Sequence, residues 1–221
     1  FPEMVQTTVT KIYPIENYGS AMAPFYTTLA IWVGAIILIA VFNPTVKHKK
    51  EIGNVTFSQE FFGRAFTFMT FGFIQSLIIC LGDLYFLKIQ CYNPGLFMLS
   101  GCFASLVFSL FMYSLVAAFG DIGKAVAVIM LVVQLGGSGG TFPIDVTPAF
   151  FRAIHPYLPF TFVINAMREC VCGTWESDYW MDLVKLCAYI IIALVIGLFF
   201  RFLFKKPVKF FNKKIEETDL L

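Results

Sequence analysis

Residues Pro24–Phe42 read PFYTTLAIWVGAIILIAVF, an apolar run that opens on a proline and is closed by Asn43-Pro44. Crossing the hydrocarbon of a bilayer takes about 20 mostly apolar residues at roughly 1.5 Å rise each, and proline suits the first turn of a helix. This run therefore predicts a membrane-spanning helix. Working outward from it, four further segments qualify: about Ala65–Leu87, Gly95–Phe119, Ile122–Leu135 with an extension toward Gly140, and Tyr179–Phe204. The last is entered through Trp175, Tyr179 and Trp180, which read as an interfacial aromatic belt, and it stops before Pro207.

The composition agrees. Apolar residues make up 58% of the 221, charged residues 14%, and there are 27 phenylalanines. A soluble domain carries about a quarter charged residues to wet its surface, so lipid must be one of the solvents of this chain. The net charge of +2 does not point to nucleic acid, because the basic residues sit in short clusters beside apolar runs.

Lys and Arg set the orientation. With the N-terminal side outside, Lys47, Lys49, Lys50, Arg64, Lys124, Arg201, Lys205, Lys206, Lys209, Lys213 and Lys214 fall inside, against only Lys11, Lys88, Arg152, Arg168 and Lys185 outside. The positive-inside rule favours this arrangement, N-out and C-in, in a cell membrane. The expected organisation is an extracellular juxtamembrane segment over 1–23, a transmembrane domain over 24–206 and a cytoplasmic basic tail over 207–221. The sequence opens without a charged n-region and apolar core, so a delivering first span and an external region are expected upstream.

Gly136-Gly137-Ser138-Gly139-Gly140 ends the fourth run, and no regular helix would choose it. Thr147-Pro148 then reads as an N-cap followed by proline at the first helical position. A short helix over Pro148–Ile154 is stopped by Pro156, and a second over Pro159–Met167 ends at Arg168-Glu169. Neither can span. Both are too apolar for a free loop, so a re-entrant helical hairpin over about 141–168, dipping into the outer leaflet, is predicted. Non-helical backbone is tolerated at that depth only inside protein or beside a water-filled cavity. Thr141-Phe142-Pro143 would then be held against the fourth span. The alternative is a loop lying flat on the membrane. The residues expected to form this re-entrant gate are Gly136, Gly137, Gly139, Gly140, Phe142, Pro143, Pro156, Pro159, Arg168 and Glu169.

On the inner side, Asn43–Gly63 begins basic and turns amphipathic through Phe57, Phe61 and Phe62 at near-helical spacing. It is either a solvated loop on anionic lipid or a helix touching a cytoplasmic partner. In the second case Lys47, Lys49, Lys50, Glu51, Glu60 and Arg64 would form a coupling surface. Within the spans, polar groups are costly and so are candidates for function: Gln75, Gln134 and Asp83. Their plainer role is an interhelical hydrogen bond, and Asp83 has Lys88 near it in sequence as an ion-pair partner. Gly101, Ser105 and Ser109 recur every four residues, as do Ala30 and Gly34, giving small faces for close helix approach within one chain or between two.

Enzyme chemistry finds no support. His48 and His155, the two histidines, fall on opposite sides of the predicted membrane, which rules against a histidine zinc site or a Ser-His-Asp triad. Gly123-Lys124-Ala125 echoes a phosphate loop, but Ala118 stands where glycine is needed and Ala125 replaces the magnesium-binding hydroxyl. Asn54-Val55-Thr56 is a glycosylation sequon on the predicted inner side. Cys80, Cys102 and Cys187 lie in or near spans as small apolar residues. Cys91, Cys170 and Cys172 fall outside, where a bridge from Cys91 is conceivable and unpaired thiols are the expected state. No catalytic, cofactor or metal residue is assigned.

Several blocks carry a family resemblance: Asn17-Tyr18-Gly19-Ser20, Ala23-Pro24-Phe25, Trp32-Val33-Gly34-Ala35, Phe119-Gly120-Asp121-Ile122-Gly123-Lys124, Gln134 with Gly139-Gly140-Thr141-Phe142-Pro143-Ile144, Pro156-Tyr157-Leu158-Pro159-Phe160-Thr161, and Ala166-Met167-Arg168-Glu169. In this order they resemble the phage infection protein family (YhgE/Pip) of the type-2 ABC exporter permease superfamily, from Gram-positive bacteria. The resemblance implies a permease fold whose last two spans are joined by a re-entrant connection. It also implies a large external domain before Phe1, a homodimer, and an inner loop where permeases meet an ATPase. Two functions follow from it as expectations. One is an export permease powered by a separate ATPase. The other is a non-transporting membrane anchor and dimer platform for an external phage-receptor or type VII secretion accessory domain, with secretion components as partners. Membrane lipid is expected around either; nucleic acid is not.

Overall fold

The computed structural model describes residues 14–42, 56–173 and 176–202, with the backbone alone at Glu176. Every regular element among the described residues is a helix, and none is a strand. Seven α-helices follow one another: α1 Tyr18–Val41, α2 Phe57–Leu81, α3 Pro94–Phe119, α4 Asp121–Gly137, α5 Ala149–Ile154, α6 Pro159–Cys172 and α7 Glu176–Leu194. Helix α2 runs on through a π-helical turn at Gly82–Phe86, and α7 through another at Val195–Phe200.

Four of these, Tyr18–Val41, Phe57–Phe86, Pro94–Phe119 and Ser177–Phe200, are long and apolar enough to cross a membrane. At 17 residues, α4 rises only about 25 Å, short of a ~30 Å hydrocarbon core. The glycine run cuts it off at Gly137, so the fourth run ends before the Gly140 to which it was extended. Two other boundaries move as well. The first helix begins six residues before Pro24 because Asn17 caps it, its Oδ1 accepting from Ser20 N at 2.8 Å; Pro24 lies inside the helix instead of opening it. Helix α2 starts at Phe57, not Ala65, with Thr56 N donating to Gln59 Oε1 at 2.9 Å.

Helix α3 is the hub. Residues from Phe97 to Ala118 are buried on nearly every face, and α1, α2, α4, α6 and α7 all pack on it. Lipid tails are as apolar as leucine, so packing and not water exclusion must hold such helices together. Small residues let them approach. Gly72 of α2 sits over Ser105 and Ser109 of α3, and Gly101 of α3 lies against Cys80. The small face of α3 is thus used within the chain. So is Gly34 of α1, whose missing side chain makes room for Gln75 of α2. At the centre, Trp32 is fully buried, edge-on to Phe108 and Phe160 at centroid distances of 4.8 and 5.4 Å. Hydroxyls on the spans bond back to their own helices: Thr28 to Pro24 O at 2.7 Å, Thr70 to Phe66 O at 2.9 Å and Ser100 to Leu96 O at 2.9 Å. Outside the hub, Phe66, Ile78, Val132, Ile191 and Phe199 are exposed. Hydrocarbon suits that surface and water does not.

Between α4 and α7 the chain forms a helical hairpin, α5 and α6, with a 3-10 turn at His155–Tyr157 as its tip. Just past the tip, the start of α6 reaches into the bundle. Phe160 touches Trp32, near the middle of the 24-residue α1, and Tyr189 of α7 donates its hydroxyl to Tyr157 O. Helix α6 then climbs to Cys170, whose carbonyl accepts from Tyr92 N and Asn93 N at 2.9 and 3.0 Å just before α3 begins.

Candidate functional site

A helix end leaves its last carbonyls and first N–H groups without intrahelical partners, and inside a bilayer each one left unsatisfied costs several kcal/mol. Helix α4 ends against the packed hairpin, and side chains from the hairpin take up the slack. Arg168 Nη2 donates to Gly139 O at 2.9 Å and Gly140 O at 3.0 Å. His155 Nδ1 lies 2.7 Å from Gly137 O; a carbonyl only accepts, so Nδ1 carries the proton. In the other direction Gln134, fully buried on α4, accepts at Oε1 from Phe160 N at 3.2 Å, at the start of α6. Thr161 Oγ1 closes the tip by donating to His155 O at 2.9 Å. Burial lowers the pKa of Arg168 from the usual guanidinium value, yet a guanidinium remains charged at neutral pH.

The glycines fit this turn closely. Gly139 has φ +66°, in the left-handed region. A side chain at Gly140 would run into the ring of Phe25 on α1. Gly136 and Gly137 receive Phe151 and Leu158, so α5 and the tip pack directly on the last turn of α4. Pro159 is the buried first residue of α6 and Pro156 the exposed middle of the tip. Eight of the ten residues expected in the gate therefore line one hairpin. Phe142 and Pro143 do not join them. Phe142 is 69% exposed and Pro143 is exposed too, after the Gly139 turn and just before the 3-10 turn at Ile144–Val146. Helix α6 also continues to Cys172, past the expected stop, so Arg168 and Glu169 are helical residues. They line a polar cleft of about 380 Å³ with Asn165, Asp178, Asp182 and Lys185, where Lys185 Nζ meets Asp182 Oδ1 at 3.0 Å.

Lys47, Lys49, Lys50 and Glu51 of the expected coupling surface lie outside the described residues, as do Trp175 and 207–221. Glu60 and Arg64 do not belong to a loop. They occupy the first turns of α2, where Glu60 Oε1 pairs with Arg201 Nη2 at 3.0 Å and Arg201 covers the ring of Phe57 at 4.7 Å. Phe61, read as an amphipathic loop residue, is fully buried against Tyr113. Tyr179 likewise is core and not belt: its hydroxyl donates to Leu96 O at 2.9 Å, while Trp180 is exposed.

Of the three intramembrane polar residues, Gln134 makes the interhelical bond just described. Gln75 fills the space over Gly34. Asp83 sits in the π-helical turn at the end of α2 and pairs not with Lys88 but with Thr27 of α1, whose Oγ1 donates to Oδ2 at 2.5 Å. The extra residue in the π turn aims it at α1, and Lys88 follows at φ +49°, where the chain reverses. The cysteines are free. Cys91 Sγ lies 3.5 Å from Cys170 O, and burial pushes the Cys91 thiol up to about 11 and the Cys170 thiol to about 12.

In sequence, His155 stands out only as a candidate metal ligand or triad member, and its bond to Gly137 O is a finding of the structure. The signal for its structural role was available. A helix that stops at Gly137 among irregular backbone needs donors for its last carbonyls, and His155 and Arg168 are among the few strong donors in the following segment.

Comparison with known proteins bears on this architecture. Residues 3–199 match the family described as ABC-2 family transporter protein. The uncharacterized protein YhgE of Bacillus subtilis (strain 168) is similar, 33% identical over 202 residues that cover 90% of this chain and 26% of YhgE. The chain thus spans about a quarter of that curated relative. No solved structure gives a significant match.

Proposed function

The chain belongs to the ABC-2 transporter family, and from that membership we propose that it is the membrane domain of an exporter driven by a separate ATPase. It is a multi-pass membrane protein, a transporter component and not a classical enzyme. Fold alone does not settle what moves.

The observation that carries the proposal is the polar lock between α4 and α6: Arg168 on Gly139 and Gly140, His155 on Gly137, and Gln134 on Phe160. A plain anchor gains nothing from holding the end of a broken helix with a half-buried guanidinium beside a polar cleft. A gate does, because such contacts exchange one set of partners for another at modest net cost. In this reading the α5–α6 hairpin is re-entrant from the outer side, the short α4 and the turn after it complete the fourth crossing of this chain, and the cleft around Arg168, Glu169 and Asp182 opens outward. The segment ahead of α2, from 43 to 56, docks the ATPase, and two copies enclose the path.

In-cell crosslinking from a photoreactive residue at Lys49, followed by identification of the adduct and an ATP hydrolysis assay of the purified complex, tests this. An ATPase adduct whose hydrolysis changes on Arg168→Gln is the expected result. Adducts confined to secretion components, with no ATPase, would overturn it in favour of the anchor and dimer platform.

A further inference from the structure

Near the first turns of α1 and the last turns of α2 lies a second cleft, away from the hairpin. It has a volume of about 500 Å³ and is lined by Tyr18, Tyr26, Thr27, Ala30, Ile79 and Asp83, among others. We propose that this cleft binds a cationic amphiphile, with the ammonium group on Asp83 and the hydrocarbon body along Ala30 and Ile79.

The volume is that of a small-molecule site, and the lining has the usual form of an apolar wall with few polar groups. Its one carboxylate is Asp83. Among the described residues Asp83 makes no ion pair, and its partner Thr27 is a neutral donor that occupies one oxygen. A carboxylate in an intramembrane position without a cation is a candidate ligand or ion site. The π-helical turn that carries it is a distortion common at functional sites.

Charge complementarity selects a cation, and the remaining chemistry selects its kind. A hard metal ion wants about six oxygens. The cleft offers Asp83 and Thr27, since Asn17 Oδ1 already caps Ser20 N and Ser20 Oγ already accepts from Gln90 N. An ammonium needs less, a carboxylate and an aromatic face, and Tyr18 and Tyr26 stand exposed at the rim. Asp83 lies within about one helical turn of Phe86, where the π-helical continuation of α2 ends. A molecule that partitions into the leaflet would therefore hold its charged head at that depth. The rim is braced: Gln90 joins Glu16 N, Pro14 O and Ser20 Oγ, tying the turn after α2 to the start of α1.

The inference does not rest on transport, because binding needs neither an ATPase nor turnover. The test is equilibrium binding of radiolabelled dodecylammonium and, separately, dodecanol to the protein in nanodiscs, against empty nanodiscs. Saturable dodecylammonium binding is expected. Asp83→Asn keeps the Thr27 hydrogen bond and the volume, and should weaken that binding about tenfold or more, as loss of a charge-assisted contact does, while leaving dodecanol unchanged. Ala30→Phe, which fills the cleft with the charge in place, should weaken both. Unaltered dodecylammonium binding in Asp83→Asn would overturn the proposal. So would uptake equal to that of empty nanodiscs, which would mean partition into lipid only or a cleft covered by another protein segment.

Discussion

Gly139 and Gly140 are adjacent, yet they resist substitution for different reasons. At Gly139 the backbone itself is the obstacle: with φ at +66°, any Cβ is strained, and the nearest atom, His155 Cε1, would stand 3.3 Å away. Gly139→Ala should cost about 1 kcal/mol or more. At Gly140 the obstacle is Phe25, against which even a methyl would collide. Gly140→Val should therefore cost more, about 1–3 kcal/mol from overpacking, and Gly140→Val combined with Phe25→Ala should cost less than the sum of the two single changes. Thermal denaturation of the purified protein in detergent measures both. Wild-type stability in Gly140→Val would mean the turn is not packed on α1.

Helices that cannot rely on the hydrophobic effect to find each other depend on such specific contacts at their ends. The start of α2 and the end of the α7 π turn are joined by Glu60 and Arg201, whose side chains are only 15% and 14% exposed. Removing one partner strands the other in a poor solvent. Arg201→Gln should then cost ~2 kcal/mol, less than a fully buried pair because water still reaches both groups. The charge-swapped double variant, Glu60→Arg with Arg201→Glu, should restore part of the loss. Equal melting temperatures for wild type and Arg201→Gln would show that Phe57, Phe61 and Tyr113 hold this corner without the ion pair. The same contact matters for the proposed mechanism, because it would link anything docked before Phe57 to the far end of α7.

Across the whole molecule, the arrangement of Lys and Arg predicts N-out and C-in, and the proposed gate and docking segment depend on it. Single cysteines at Lys49 and Tyr92, in a background without the native ones, should separate under an impermeant thiol reagent. Tyr92 is 74% exposed and should label in intact cells; Lys49 should label only after permeabilisation. Labelling of Lys49 in intact cells would invert the orientation, and with it the sidedness of the gate. Any dimer contact must also avoid Gly34, since that position is filled by Gln75 of the same chain.

What the sequence determined by itself was the solvent and the material: a membrane, helices and a break at Gly136–Gly140. Those follow from composition, run length and glycine chemistry, all local properties. The polar residues of the hairpin could be named in the same way, because a charge or an amide in an apolar run is conspicuous wherever it points. Their partners could not. That Arg168 reaches back 28 and 29 residues to Gly140 and Gly139, that Asp83 turns to Thr27 and away from Lys88, that Glu60 belongs to Arg201, and that Phe142 faces outward are decided by how the helices pack. A side chain in a bilayer core must take whichever polar group the neighbouring helix brings within reach, and only the tertiary structure determines which one that is.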